Sequence, residues 1–361
     1  MASKLEAYRG CLLGMAVGDA MGMPVDDMRW EAIEENYGPR GLLGYNPGSD
    51  FAEITSYTQV CAYICNALLL SVSRGNGDNK LDFVKLGLKE WTRSQQFARD
   101  PERNFCWVAK LPGLRRRHCR DARMLDTLRL WVSGIPQPSV NQYNTPGSLT
   151  SAIAVGMFFH EKRMSPMQVG ELAAQIVSLT HGDPHAFLSA AVLAYAITGI
   201  LNEPALPLAE QFRSAISVMF HQFRERYPEA KTVAATLSAA VERAQGAEPM
   251  DEVMEALNCY SAMDCLAGAI YAALANEGDF DTAMITAVNH SGYSSAVASI
   301  AGAILGAKMG DSELPDFYLE SLEVVKPLRQ LADDMVSFTP TKGLFDDDWD
   351  QKYVQGIPLG M

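Results

Sequence analysis

Four carboxylates and two phenols in this chain are placed where they could act together: Asp19, Asp26, Asp27 and Glu53, with Tyr57 and Tyr293. Two carboxyl groups, one protonated and one ionised, can cleave a glycosidic bond without a metal, and some glycosidases use a tyrosine as nucleophile. The tyrosines sit in two short polar segments far apart in the chain. One is Ile54-Thr55-Ser56-Tyr57-Thr58-Gln59 and the other is His290-Ser291-Gly292-Tyr293-Ser294-Ser295. A fold that joins these segments would let Tyr57 and Tyr293 meet across one cleft. Two further stretches carry polar groups. Asn144-Thr145-Pro146-Gly147-Ser148 opens an apolar helical run, and a helix start there can bind an anion through backbone N–H groups and Ser148. Leu179-Thr180-His181-Gly182-Asp183-Pro184 joins two helical runs, with Asp183 as N-cap and Pro184 in the first turn. On its own, His181 reads as a satisfied histidine at a helix junction. Asp19 reads as a helix-end residue that ties down the amides of a turn.

The elements that must position these groups are helices. Residues 6–21, 57–73, 81–95, 148–160, 166–180, 184–202, 207–224, 229–244, 262–276, 280–288 and 294–309 carry apolar side chains at three-to-four spacing. Alternating strand patterns are nearly absent. Glycines 14, 18 and 22 would let the first helix pack closely and then turn, with Pro24 fixing its exit. The run Ala296 to Gly310 is rich in small residues, as expected of helices whose axes approach closely. Loops are marked at Asn46-Pro47-Gly48, Gly134-Ile135-Pro136-Gln137-Pro138 and Asn144–Gly147, and polar, Gly-rich residues fill 73–79. No stretch has linker length, so residues 1–361 are expected to form one all-α domain. Its acidic tail over 345–361 is expected to dock or fray rather than bind metal.

Composition narrows the function classes. Hydrophobic residues make up 48% and charged residues 20% of the 361, with a formal net charge of −13. That balance argues against a nucleic-acid partner held by bulk electrostatics. One basic cluster, Arg115, Arg116, Arg117, His118 and Arg120, is read as a solvated loop or as a contact for an anion or acidic partner. Seven irregularly spaced cysteines do not suggest a disulfide scaffold or a zinc finger. No apolar run is expected to reach membrane-spanning length, and the first ten residues lack a secretory signature. The expectation is a cytoplasmic protein with no membrane partner.

Four segments in order resemble the ADP-ribosylglycohydrolase family across almost the whole chain. They are Gly10 to Asp26, containing Gly18-Asp19-Ala20-Met21-Gly22-Met23-Pro24; Thr55 to Gln59 with its following helix; Leu179 to Pro184; and Asp264 to Gly310, with Phe280-Asp281-Thr282-Ala283 and Ser291 to Ser295. The resemblance implies a compact orthogonal multi-helix bundle. It also implies ADP-ribosyl hydrolysis with two magnesium ions held by an Asp-Asp pair and an Asp-x-Asp. Here Ser56-Tyr57 and Tyr293-Ser294-Ser295 occupy those places, and Asp26 stands where the family has Glu. The family's Met-Arg pair is Thr150-Ser151, although Gly147 is kept.

Two neighbouring dications need several carboxylates to offset their repulsion, and a neutral phenol is a poor magnesium ligand. No metal or other cofactor is therefore expected. In the family the residue matching His181 lies near the bound ribose, which adds a pocket reading to the structural one. The expected ligand-binding residues are Asp19, Thr55, Ser56, Gly147, Ser148, His181, Ser291, Gly292, Ser294 and Ser295. Asp26, Tyr57 and Tyr293 are the catalytic candidates if the protein is active. Three readings follow. One is a family member without dimagnesium hydrolysis whose cleft binds a nucleotide, a ribose-containing molecule or another small ligand. The second is a metal-independent hydrolase of an ADP-ribosyl or N-riboside substrate. The third is a non-catalytic scaffold with a protein partner.

Overall fold

The computed structural model describes residues 2–45, 51–74, 79–96, 104–134, 141–159, 164–337 and 347–354. In chain order the helices are α1 Lys4–Gly22, α2 Trp30–Tyr37, α3 Ser56–Arg74, α4 Lys80–Gln96, α5 Pro112–Arg115, α6 Ala122–Val132, α7 Ser151–Phe158, α8 Pro166–Ser178 and α9 Pro184–Asn202. They continue with α10 Leu208–Phe223, α11 Ala230–Arg243, α12 Met250–Leu257, α13 Ala262–Ala275, α14 Phe280–Val288, α15 Ser294–Met309, α16 Asp316–Glu320, α17 Val325–Ser337 and α18 Asp347–Tyr353. Among the described residues the only β pairing is two isolated bridges, Met28 with Gly292 and Ala52 with Leu322. The all-α expectation holds.

Two helices from opposite ends of the chain form the spine. α1 starts on a capping box, in which Ser3 and Glu6 bond each other's backbone N–H. It then lies against α15 almost backbone to backbone. A Cβ added at Gly10, Gly14 or Gly18 would come within 2.1, 2.1 and 2.0 Å of the carbonyl oxygens of Gly306, Gly302 and Ala298. Residues four apart on a helix share a face, so these glycines make one groove into which α15 settles. The close packing read from glycines 14 and 18 is thus observed, and its partner is the small-residue helix after Ser294. Beyond the ends of these helices, Asp27 donates its N–H to Gly292 O (2.8 Å) and Gly292 donates to Met28 O (3.3 Å). The spine and this bridge bring residues 19–28 beside residues 290–295.

Around the spine, the eleven helices read from periodicity are present with ends shifted by at most a few residues. The longer elements missed were α2, α6, α12 and α17. α2 buries only Ile33 fully, and α17 has Pro327 near its start, so both look like loop in the sequence. The expectation about membrane length needs correcting at α9. That helix is 19 residues, long and apolar enough to cross a bilayer, with a mean hydropathy of 1.6 over its 18-residue apolar stretch, but 78% of that stretch is buried inside the protein. It is the central core helix, opened as expected by Asp183, whose carboxylate accepts from His185 N–H (2.8 Å). Part of the acidic tail forms α18, which docks through Trp349 and Tyr353. The Tyr353 hydroxyl donates to Asp334 (2.7 Å) and accepts from Trp107 Nε1 (3.0 Å). The predicted loop at Asn46–Gly48, residues 135–138 of the Gly-Pro loop, and the rest of the tail lie outside the described residues.

Candidate functional site

Asp19 ends the α1 face and is completely buried. Its carboxylate accepts four hydrogen bonds: from the N–H (2.8 Å) and hydroxyl (2.6 Å) of Thr55 and from the N–H (3.0 Å) and hydroxyl (2.7 Å) of Thr58. Burial raises its pKa despite those bonds. Asp19 and Thr55 therefore clamp the start of α3 against α1, and neither lines the cleft. The clamp presents Tyr57 to the space beyond, with Ser56 buried beside it and outside the lining.

A loop that precedes α6 closes this space from the side. Ser56 N–H donates to His118 O (3.0 Å), and Ser56 Oγ accepts from Arg120 N–H (3.0 Å). Arg120 Nε then donates to Asp26 Oδ2 (2.9 Å), while Asp26 Oδ1 accepts from Ser295 N–H (2.8 Å). Asp26 thus joins the first turn of α15 to the basic loop. Burial pushes Asp26 up to about 6, against the lowering charge of Arg120 and the Ser295 hydrogen bond. The rest of the basic cluster is neither a simple solvated loop nor a free anion surface. Arg116 pairs with Glu53 (2.8 Å) and Glu323 (2.9 Å), His118 lies 3.4 Å from Glu53, and Arg117 donates to Gln96 O (2.8 Å). The loop is pinned by internal contacts.

These groups enclose an open cavity of about 470 Å³. Asp26, Asp27, Tyr57, Arg120, Asp121, Arg123, Thr145, Pro146 and Tyr293 are among its lining. Both tyrosines line it rather than fill it. Tyr57 is buried, and Tyr293 is half-buried with its ring edge-on to Tyr260 at 5.9 Å. Burial raises the pKa of each phenol, so both are neutral hydroxyls at pH 7. Beside them, the hydroxyls of Ser151, Ser294 and Ser295 are buried with no hydrogen-bond partner among the described residues. Ser291 lies outside this lining: its hydroxyl accepts from Trp30 N–H (2.9 Å). Gly292 takes φ +125° and packs on the Cys259 backbone.

His181 sits one layer behind the wall and is fully buried. Its Nδ1 meets Ser148 Oγ (2.7 Å) and Thr180 Oγ1 (2.9 Å), and its Nε2 meets Thr145 Oγ1 (3.0 Å) and Asp121 Oδ2 (3.1 Å). The sequence reading of a satisfied junction histidine describes this contact set, and the histidine reaches the cavity only through Asp121 and Thr145. Asp121 caps α6 by accepting from Met124 N–H (3.0 Å). Burial alone would raise its pKa, but the hydrogen bond and charge of His181, then Thr145 and Met124, together hold it at about 2. Gly147 leaves the room Asp121 needs, since a Cβ there would lie 2.3 Å from Asp121 Oδ2.

Asp121, Thr145 and Arg123 were not singled out as site residues from sequence, and Arg120 was grouped with a surface cluster. The available signal was Asp121 itself, a capping residue directly before the amphipathic run of α6. Among the described residues, no three His, Cys, Asp or Glu side chains gather in a group that could hold a metal ion.

Comparison with known proteins agrees with this architecture. The model of the ADP-ribosylglycohydrolase family matches residues 1–344. An uncharacterized protein of Archaeoglobus fulgidus is 25% identical over 332 residues, covering 91% of this chain and 95% of that protein. A solved structure described as an ADP-ribosylglycohydrolase-related protein complex superposes with a TM-score of 0.61 at 21% identity, over 93% of this chain and 98% of that one. At that identity the superposition establishes the shared fold.

Proposed function

We propose that this chain, which belongs to the ADP-ribosylglycohydrolase family, works without the family's two magnesium ions and uses its cleft to bind a small ribose-containing or nucleotide-type ligand. The observation that carries this reading is the state of Asp26. It lines the cavity with Tyr57 and Tyr293 and bonds Ser295, three of the four positions that carry aspartates in the family, and its two oxygens are taken by Arg120 and by Ser295 N–H. A dication placed there would face a guanidinium instead of a compensating set of carboxylates. Asp121, the next carboxylate of the lining, is bonded to His181, Thr145 and Met124. The residues present do not fit a dinuclear magnesium centre. The cavity itself is large enough for a sugar and is lined by hydroxyl, carboxylate and guanidinium groups. Calorimetric titration of the chelator-treated protein with magnesium tests the reading. No saturable heat is expected, and binding at millimolar concentration or tighter in the cleft would sink it.

One observation favours a second, catalytic reading. Asp26 is raised to about 6 and Asp121 is held at about 2 in the same cavity wall. Two carboxylates with separated pKa values can divide acid and base roles in metal-free glycosyl cleavage. Hydrolysis of an N-riboside or ADP-ribosyl substrate would then persist in EDTA and fall sharply in Asp26→Asn. Activity that survives both Asp26→Asn and Tyr293→Phe would refute this mechanism.

A further inference from the structure

We propose that Arg120 supplies the cleft with a built-in cation and that its guanidinium binds the phosphate of a phosphorylated, ribose-type ligand. This rests on the metal-free reading of the cleft given above. Arg120 uses only Nε on Asp26. Among the described residues its two terminal nitrogens make no hydrogen bond, and its side chain keeps 31% exposure while lining the cavity. Asp26 therefore fixes the guanidinium plane through one edge and leaves the other N–H groups as a preset fork. Such a fork matches an oxyanion in bidentate geometry, which a lysine cannot reproduce.

The surroundings add donors suited to a tetrahedral group. Arg123 lines the same wall, with its guanidinium carbon 5.6 Å from the centre of the Tyr143 ring and no carboxylate partner among the described residues. Tyr57 and Tyr293, both neutral phenols able to donate, line the same cavity. Two guanidinium groups and two phenols offer more N–H and O–H donors than one carboxylate has lone pairs, and a phosphate monoester, with three terminal oxygens, can accept more of them. The cavity also contains Asp26, Asp27 and Asp121, of which the first and last have their oxygens engaged. Asp26 is paired with Arg120, and Asp121 is bonded to His181, Thr145 and Met124 N–H. That leaves Asp27 as the carboxylate able to accept hydrogen bonds from sugar hydroxyls.

Calorimetry on the full chain in EDTA tests the assignment, with ribose 5-phosphate and ribose as probes. The expected result is that the wild type binds the phosphate ester at least about tenfold more tightly than the free sugar, the range of one charge-assisted contact. Arg120→Gln should erase most of that ratio. A purely structural role for Arg120 would weaken both probes equally and leave the ratio intact, which would overturn the proposal. So would a wild type with no preference for the phosphate. Should Arg120→Gln fail to fold, Arg120→Lys retains a charge for Asp26 but loses the fork, and the ratio should fall several-fold; an unchanged ratio again overturns the assignment. If ribose 5-phosphate binds only when magnesium is present, the metal-free reading itself is wrong. Metal-free binding with an unchanged ratio removes only the role of Arg120.

Discussion

Replacing Gly14 by alanine adds one methyl group where α1 meets α15, and the structure allows its cost to be worked out. The new Cβ would lie 2.1 Å from Gly302 O, 2.9 Å from its carbonyl carbon and 3.3 Å from Phe280. Ordinary contact begins at 3.4 Å, so α1 and α15 must separate locally by more than an ångström. The obstacle is backbone, which cannot rotate away as a side chain can. Overpacking of this kind costs about 1–3 kcal/mol or more, and the upper end applies here. Separation also loosens the neighbouring Gly10 and Gly18 contacts, because a gap of about 0.5–1 Å forfeits a quarter to a half of each dispersion well. Against this, alanine in a helix gains about 1 kcal/mol over glycine. The net destabilisation is then about 2–3 kcal/mol. For a chain of 361 residues, an unfolding entropy of about 2.1 cal/mol/K per residue makes this a Tm decrease of about 3–4 °C. Thermal melts of Gly14→Ala and the wild type measure it directly. Gly44→Ala is the control, since nothing lies within 4 Å of the added Cβ, and it should stay within about 0.5 kcal/mol of wild type. Equal melting of Gly14→Ala and Gly44→Ala would refute the reasoning that backbone approach sets the spine.

Three further outcomes follow from the same geometry. Asp19→Ala should lose at least about 4 kcal/mol in urea unfolding, because four buried donors of Thr55 and Thr58 lose their acceptor; a variant as stable as wild type would show that Asp19 is not the clamp. Asp26 has a folded pKa of about 6 against an ordinary 3.8, so the folded state binds the proton more tightly and stability should fall as pH rises through that window, by about 3 kcal/mol in all. Asp26→Asn should flatten that slope, and an unchanged slope counts against the assignment. Tyr353→Phe removes the hydroxyl that joins Asp334 to Trp107, and should weaken the docking of α18 by about 1–2 kcal/mol, seen as faster proteolysis of the C-terminal segment; unchanged cleavage would place the anchor in Trp349.

How much of this could be read in the sequence depended on whether the signal was local. The major helices announce themselves by apolar spacing, and the α1–α15 contact by glycines four apart facing a second run of small residues. Asp19 reads in sequence as tying down the amides of its own turn, whereas the amides it holds are those of Thr55 and Thr58, 36 and 39 positions away. The site was legible only where the two polar segments carry it. Asp121 and Arg120 reach the cavity because residues 116–121 pack against the start of α3, with Ser56 N–H bonded to His118 O. No spacing rule connects those stretches. In sequence, Arg120 is one of several adjacent basic residues. Only the fold separates it from Arg116, which is spent on Glu53 and Glu323.

On the proposed metal-free reading, the exchange at Ser56, Tyr57, Tyr293 and Ser295 makes electrostatic sense as a single unit. A site that holds two dications keeps its carboxylates ionised by their presence; without the ions, clustered carboxylates in a buried pocket would repel one another and be pushed toward protonation. Neutral Ser56, Tyr57, Tyr293 and Ser295 remove that repulsion, and the remaining Asp26 is offset by Arg120 through the 2.9 Å contact. The replacements differ in what they leave behind. Of the two serines, Ser56 Oγ accepts from Arg120 N–H, whereas the Ser295 hydroxyl is buried without a partner among the described residues. The tyrosines return volume and bring two neutral donors to the cavity wall. A guanidinium and two phenols donate hydrogen bonds, whereas aspartates around magnesium supply negative charge, and the proposed phosphate site rests on that difference.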